Sequence, residues 1–279
     1  MLDSEAAKRP VPWLFIGAGN MARAIATGAR AAGTMEPDSI AAYDPEPVSA
    51  EPFGAVFDDI GQAAAWLQDH PLASILLATK PQKFGDVAAS WRPVLAQRDT
   101  TLVVSILAGT TAHTVHEGLG PASRVVRVMP NTPIRLGMGM SAVVPGPGAT
   151  VEDMQRVESV FASIGKTARM AEDLIDAFTG IAGSGPAYVF YLAEAMVEAG
   201  VQLGFDRADA TQMARQTVMG AGALLAASSE SPRELRSAVT SKGGTTAAAI
   251  ELMDKNGVHD TVVRAIHAAR HRGAELASG

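Results

Sequence analysis

Two glycine-rich turns carry the residues of this sequence that could do chemistry. In the first, Phe15-Ile16-Gly17-Ala18-Gly19-Asn20-Met21-Ala22, an apolar run leads into Gly-x-Gly-x-x-Ala and then into an alanine-rich helical stretch. Gly17 permits a tight turn, Gly19 lets a pyrophosphate approach the backbone, and Ala22 stands where a small residue allows close helix–strand packing. The helix start supplies free N–H groups and partial positive charge for phosphates. Alone, such a turn is also an ordinary glycine turn; its place after the first strand of a βαβ series makes it a dinucleotide site. The second turn, Ser241-Lys242-Gly243-Gly244-Thr245-Thr246, opens a helix expected over Thr245–Lys255. Its free amides can bind a carboxylate without any arginine, and glycine lets the ligand come close.

Asp44 ends the second expected strand, about twenty residues past the fingerprint, and reads in two ways. It can accept hydrogen bonds from an adenosine ribose and repel a 2′-phosphate, which favours NADH over NADPH, or it is a solvated turn residue before Pro45. Two further turns, Ala78-Thr79-Lys80-Pro81-Gln82 and Ser105-Ile106-Leu107-Ala108-Gly109, lie at the carboxyl ends of strands, where open α/β sheets bind ligands. On spacing alone, Lys80 is a surface residue at a strand end and Thr246 a cap or first-turn hydroxyl. Ser184 and Tyr188 flank Pro186 at a helix start, Ser184 as a candidate cap and Tyr188 as a core aromatic. His267 and His271 have a metal-binding spacing, but Arg264, Arg270 and Arg272 surround them, so a solvated basic helix end is expected and no metal site. His113 and His116 fall on an expected surface helix. The chain has no cysteine, which removes disulfides, thiolate nucleophiles and cysteine-based metal sites.

The positioning elements follow from hydrophobic patterning. Strands are expected at Trp13–Ile16, Ile40–Tyr43, Ala55–Phe57, Ser74–Ala78, Leu102–Leu107, Arg124–Met129 and Ser141–Val144, alternating with helical stretches as in a parallel sheet covered by helices. Beyond Glu172 the pattern becomes all-helical: Pro186–Leu203, Ala208–Ala227, Pro232–Val239, Thr245–Lys255 and Val258–Glu275. The expected organisation is therefore an α/β Rossmann-type N-terminal domain over residues 1–172 and an all-α C-terminal dimerisation domain over residues 173–279. Gly220 and Gly222 cost about 1 kcal/mol each in intrinsic helix stability, which close helix packing would offset. Helices apolar on more than one face predict at least a homodimer.

The chain is 279 residues long, 47% hydrophobic and 19% charged, with a net charge of -6. That balance gives no electrostatic reason to expect nucleic acid or an anionic membrane as partner, and points to a small molecule. No stretch approaches a membrane span, and the first residues lack a signal-peptide core, so a cytoplasmic location is the default expectation.

Met129-Pro130-Asn131-Thr132-Pro133, Gly183-Ser184-Gly185-Pro186-Ala187-Tyr188 and Ser241–Thr246, with the fingerprint turn and the Lys80-Pro81 pair, resemble the pyrroline-5-carboxylate reductase family in order and spacing. The likeness spans nearly everything from Phe15 to Glu275. It implies a Rossmann domain and a helical domain that intertwines with its partner, the active site lying where the two domains and the partner subunit meet. It also implies that Gly17, Ala18, Gly19, Asn20, Met21, Thr79, Lys80, Pro81, Ser105 and Asn131 lie along NADPH or NADH. Val239, Ser241, Gly243, Gly244, Thr245 and Thr246 would hold the substrate. Two positions depart from the family: Lys242 stands where proline is usual, and many members favour NADPH with polar or basic residues near Asp44.

The implied reaction is hydride transfer to the C=N bond of (S)-1-pyrroline-5-carboxylate, giving L-proline. It needs a hydride donor above the imine carbon, a protonated nitrogen and a carboxylate anchor. A cyclic imine can arrive as the iminium, so orientation can supply several kcal/mol and no catalytic histidine or carboxylate is required. Thr246 would orient or relay a proton at the ring nitrogen, and Tyr188 is a secondary proton-donor candidate. Two alternatives stand: reduction of another cyclic imino acid, and a non-catalytic dinucleotide-binding redox sensor.

Overall fold

The computed structural model describes residues 11–278. Its internal contacts divide it into two compact units, one built from the chain up to Gly183 together with the chain from Arg270 on, the other from Ser184–Ala269.

The first unit is a sheet of eight strands among the described residues: β1 Trp13–Ile16, β2 Ile40–Tyr43, β3 Ala55–Phe57, β4 Ser74–Leu77, β5 Thr101–Ser105, β6 Ser123–Met129, β7 Gly139–Pro145 and β8 Gly165–Arg169. Their order is β3-β2-β1-β4-β5-β6-β7-β8. All neighbours run parallel except β6 and β7. The strands are apolar because both faces are covered, and side chains alternate between the faces. Trp13 and Phe15 pack on one side with Ile25 and Ala29 of α1 (Asn20–Ala31) and Val157 and Phe161 of α5 (Val151–Ala162). Leu14 and Ile16 pack on the other with Leu67 of α2 (Ile60–Asp69), Trp91 of α3 (Phe84–Leu95) and Val115 of α4 (Ala112–Leu119). Each such buried Leu, Ile or Phe contributes on the order of 1.5–3 kcal/mol.

Each expected strand forms, β1, β2 and β3 with the expected bounds and β4 to β7 with ends shifted by one or two residues. The sequence reading contained no strand at Gly165–Arg169, because Gly-Lys-Thr-Ala-Arg carries no apolar alternation. It is a strand because β7 offers it a parallel register from Gly139↔Gly165 to Val143↔Arg169. The chain from Asp173 to Gly183, beyond the expected boundary after residue 172, packs with the first unit through α6 Ile175–Phe178 and a wide turn at Thr179–Gly183. There Ile175 is buried with Ala142 and Val144.

The second unit is helical, with α7 Gly185–Gln202, α8 Arg207–Ala227, α9 Pro232–Ala238 and α10 Thr245–Lys255; the last helix, α11 Val258–Ser278, begins in it. Asp206 accepts the Asp209 N–H at 2.8 Å at the start of α8, and Ser231 and Glu234 form a reciprocal cap on α9. Helices α7 and α8 pack tightly, since a Cβ on Gly200 would lie 2.8 Å from that of Ala210. A Cβ on Gly220 or Gly222, in contrast, would meet nothing within 4 Å. On α7, Phe190 is 66% and Tyr191 76% exposed, with Val189 and Leu192 also open. The close packing expected at Gly220 and Gly222 is therefore not made within the described chain. Among the described residues, no helix is long and apolar enough to cross a membrane.

Candidate functional site

Strand β1 ends in the fingerprint turn, at the point where the strand order reverses between β1 and β4. Gly17 has φ +95°, and a Cβ there would lie 2.8 Å from the Ala78 carbonyl oxygen and 2.9 Å from the Thr79 nitrogen. Both the backbone conformation and the closeness of the β4 end thus demand glycine. Gly19 stands as the residue before α1 and faces open space, with no side-chain cap on the helix. The first intrahelical bond is Arg23 N–H to Gly19 O at 3.0 Å, so the amides of Asn20, Met21 and Ala22 have no intrahelical acceptor. That is the local chemistry a pyrophosphate needs.

A cleft of about 540 Å³ opens beside this turn. Gly17, Gly19, Asp44, Thr79 and Lys80 line it, as do Tyr43, Glu46, Lys83, Asp86, Val87, Ser90 and Trp91. Strands β1, β2 and β4 supply one side and α3 the other. Sequence reading missed the α3 wall, although Lys83, Val87, Ser90 and Trp91 recur at helical spacing and so share a face. Trp91 packs edge-on against Tyr43, with ring centroids 5.3 Å apart. Burial first, then the Asp44 and Asp59 carboxylates, pushes the Tyr43 phenol above its ordinary pKa.

Asp44 is tied down rather than turned to water. Its Oδ2 accepts the Ala18 N–H at 2.8 Å and its Oδ1 the Glu46 N–H at 3.1 Å, linking the end of β2 to the fingerprint turn. Among the described residues, the buried side-chain polar atoms lacking a hydrogen-bond partner are Thr79 Oγ1 and Trp91 Nε1, and both residues line this cleft. Burying an unsatisfied donor or acceptor costs about 1–3 kcal/mol, so a polar ligand here has groups to satisfy. Free helix amides, open space over Gly19 and these two orphaned atoms fit a dinucleotide.

The other residues expected along the cofactor are placed less directly. Asn20 is exposed, Met21 packs against the core, and Pro81 starts the single helical turn Pro81–Lys83. Ser105 has no accessible surface, and its Oγ accepts the Leu107 N–H at 3.4 Å, so it shapes the turn after β5. Asn131 is 8% exposed and uses both ends of its amide within the protein: Nδ2 donates to Ala182 O and Oδ1 accepts from Met140 N–H, each at 2.9 Å. It clamps the β6–β7 loop to the Thr179–Gly183 turn.

In the second unit, the Gly244 N–H closes a turn on Ser241 O at 3.0 Å, and Gly243 sits at φ +73°. The Ala248 N–H to Gly244 O bond, 3.2 Å, starts α10, which leaves the amides of Thr245, Thr246 and Ala247 without an intrahelical acceptor. Gly244 precedes the helix with no side-chain cap, so Thr246 is not the cap. Among the described residues no hydrogen bond ties down the hydroxyls of Ser241, Thr245 or Thr246, whereas Thr240 spends its own on the Arg236 carbonyl. Val239 and Lys242 are exposed.

Elsewhere, Ser184 precedes α7 without capping it. His113 lies 3.2 Å from Glu117 on the surface, and His116 bonds the Ser123 carbonyl at 2.9 Å. No group of three or more His, Asp or Glu residues among those described could hold a metal ion.

Residues 172–276 match the pyrroline-5-carboxylate reductase dimerisation family, and residues 14–109 match a family described as NADP oxidoreductase, coenzyme F420-dependent. The chain is 36% identical to a pyrroline-5-carboxylate reductase of Pisum sativum over 94% of each chain. The chain belongs to the pyrroline-5-carboxylate reductase family. Among solved structures it resembles the Coxiella burnetii pyrroline-5-carboxylate reductase, with TM-score 0.85, 31% identity and coverage of 96% of this chain and 99% of that one. The Plasmodium falciparum pyrroline carboxylate reductase, solved with NADP bound, matches with TM-score 0.84 and 27% identity over 96% of this chain and 98% of its own. Members of this family are NAD(P)H-dependent oxidoreductases, which is the chemistry the cleft beside Gly17 accommodates.

Proposed function

We propose that this chain reduces (S)-1-pyrroline-5-carboxylate to L-proline with NAD(P)H, a step of proline biosynthesis. The observation that carries the reading is the Ser241–Thr246 turn, where three consecutive amides and the Thr246 hydroxyl face no partner within the unit. The amides of Thr245, Thr246 and Ala247 anchor the substrate carboxylate, with Gly243 and Gly244 letting it approach and Val239 and Ser241 bounding the ring. Thr246 Oγ1 holds the ring nitrogen, orienting an iminium that already carries its proton. NAD(P)H supplies the hydride that completes the new C–H bond at the imine carbon.

Gly17, Ala18, Gly19, Asn20 and Met21 hold the pyrophosphate through the start of α1. Asp44 stands toward the ribose, and Thr79, Lys80 and Pro81 form the wall at the β4 end. Ser105 and Asn131 act from behind, by fixing the turns after β5 and β6. Residues 173–279 carry dimerisation and substrate binding. The uncovered apolar side chains of α7 and the open glycines of α8 are the surface a second copy would cover.

The test is nicotinamide absorbance with pyrroline-5-carboxylate, with proline quantified as product. Turnover with proline formed in equal amount is expected. Absence of turnover with either nucleotide, or turnover only with the six-membered homologue, would overturn the proposal.

A further inference from the structure

We propose that this chain takes NADH in preference to NADPH, with Asp44 and Glu46 as the discriminating carboxylates. The inference rests on the cofactor reading of the cleft beside Gly17. A dinucleotide seated with its pyrophosphate on α1 brings its adenosine ribose to the end of β2, where Asp44 and Glu46 line the wall.

Asp44 cannot swing away from a ligand placed there, because each of its oxygens is held by a main-chain amide, Ala18 N–H on one and Glu46 N–H on the other. A carboxylate has about four acceptor sites, so two such bonds leave capacity for the ribose hydroxyls. A 2′-phosphate offers no donor in its ionised form and adds negative charge beside two carboxylates. Accommodating it calls for an arginine at this edge, and among the described residues none lines the cleft. The arginines of α1 that reach the segment after β2 are committed elsewhere: Arg23 donates to Ser49 O at 3.0 Å, and Arg30 bonds Pro52 O and Glu51. Lys80 and Lys83 do line the cleft, but they belong to the β4–α3 wall, where Asp86 stands beside them. The raised Tyr43 phenol is a further sign of negative potential at the end of β2, after the effect of its burial.

The test is calorimetric titration of the full chain with NADH and with NADPH, without substrate. NADH is expected to bind at least tenfold more tightly. Glu46→Lys keeps the main-chain N–H that holds Asp44 and is expected to narrow the ratio several-fold. Asp44→Asn retains an acceptor for Ala18 N–H and is expected to narrow it toward one. Equal or tighter binding of NADPH by the unaltered chain would overturn the proposal, and so would a ratio that neither substitution moves. Failure to bind either nucleotide would remove the cofactor site itself and the proposal with it, whereas NADPH-preferring binding leaves the reductase reading intact.

Discussion

Replacing Gly17 by alanine adds one methyl group at the most constrained backbone position of the cleft. Two costs follow from the geometry. Holding a residue with a Cβ at φ +95° costs roughly 1–2 kcal/mol. The new Cβ would also lie 2.8–2.9 Å from main-chain atoms of Ala78 and Thr79, where ordinary contact is 3.4–4 Å. Relieving that overlap moves the β4 end, at about 1–3 kcal/mol. The sum is about 2–5 kcal/mol. Gly33→Ala is the control, since Gly33 has φ +71° in the same unit yet faces open space, and should cost about 1–2 kcal/mol alone. The assay is urea unfolding at fixed protein concentration, followed by tryptophan fluorescence, because Trp13, Trp66 and Trp91 all belong to the first unit. Equal destabilisation by the two substitutions would refute the close approach of β1 and β4 as the reason for glycine at position 17.

Thr79→Val replaces a buried, unpartnered hydroxyl, so the nucleotide-free protein should be as stable as before or up to about 1–3 kcal/mol more stable. Nucleotide affinity should fall roughly twofold to tenfold, which calorimetry would detect. Thr246→Ala should lower kcat/KM by about tenfold to a hundredfold through loss of a hydrogen bond to a charged ring nitrogen, with Thr246→Ser restoring much of it; unchanged kinetics would remove Thr246 from the site. Burial opposes ionisation of Asp153, but hydrogen bonds from Arg124, 2.7 and 2.9 Å, and from Thr150 outweigh it and hold its carboxyl below the ordinary 3.8. A depressed carboxyl stabilises the fold above its unfolded pKa and loses that contribution as pH falls through the folded value. The stability gap between the unaltered chain and Asp153→Asn should therefore be full at neutral pH and shrink below about pH 4. A gap independent of pH would contradict this.

The sequence by itself determined the elements whose patterning is strong and local. The apolar runs that became β1, β2, β4, β5 and β6 announce a sheet buried on both faces, and Thr245–Lys255 was delimited by its own glycines and composition. The glycine positions of both turns were legible for the same reason, since backbone conformation and close approach select a residue type directly. Strand β8 was not legible, because its pairing energy comes from β7 rather than from its own polar residues. Nor was the role of Asp44: the sequence offered a ribose acceptor or a solvated turn, and only the meeting of β1 and β2 brought its carboxylate onto the Ala18 amide, 26 residues away. Asn131 and Ser105 were expected along the cofactor, and the tertiary contacts they make with Ala182, Met140 and Leu107 were not legible in the sequence. Local propensity is written residue by residue, whereas a hydrogen-bond partner distant in the chain exists only once the sheet has set the register that brings it near.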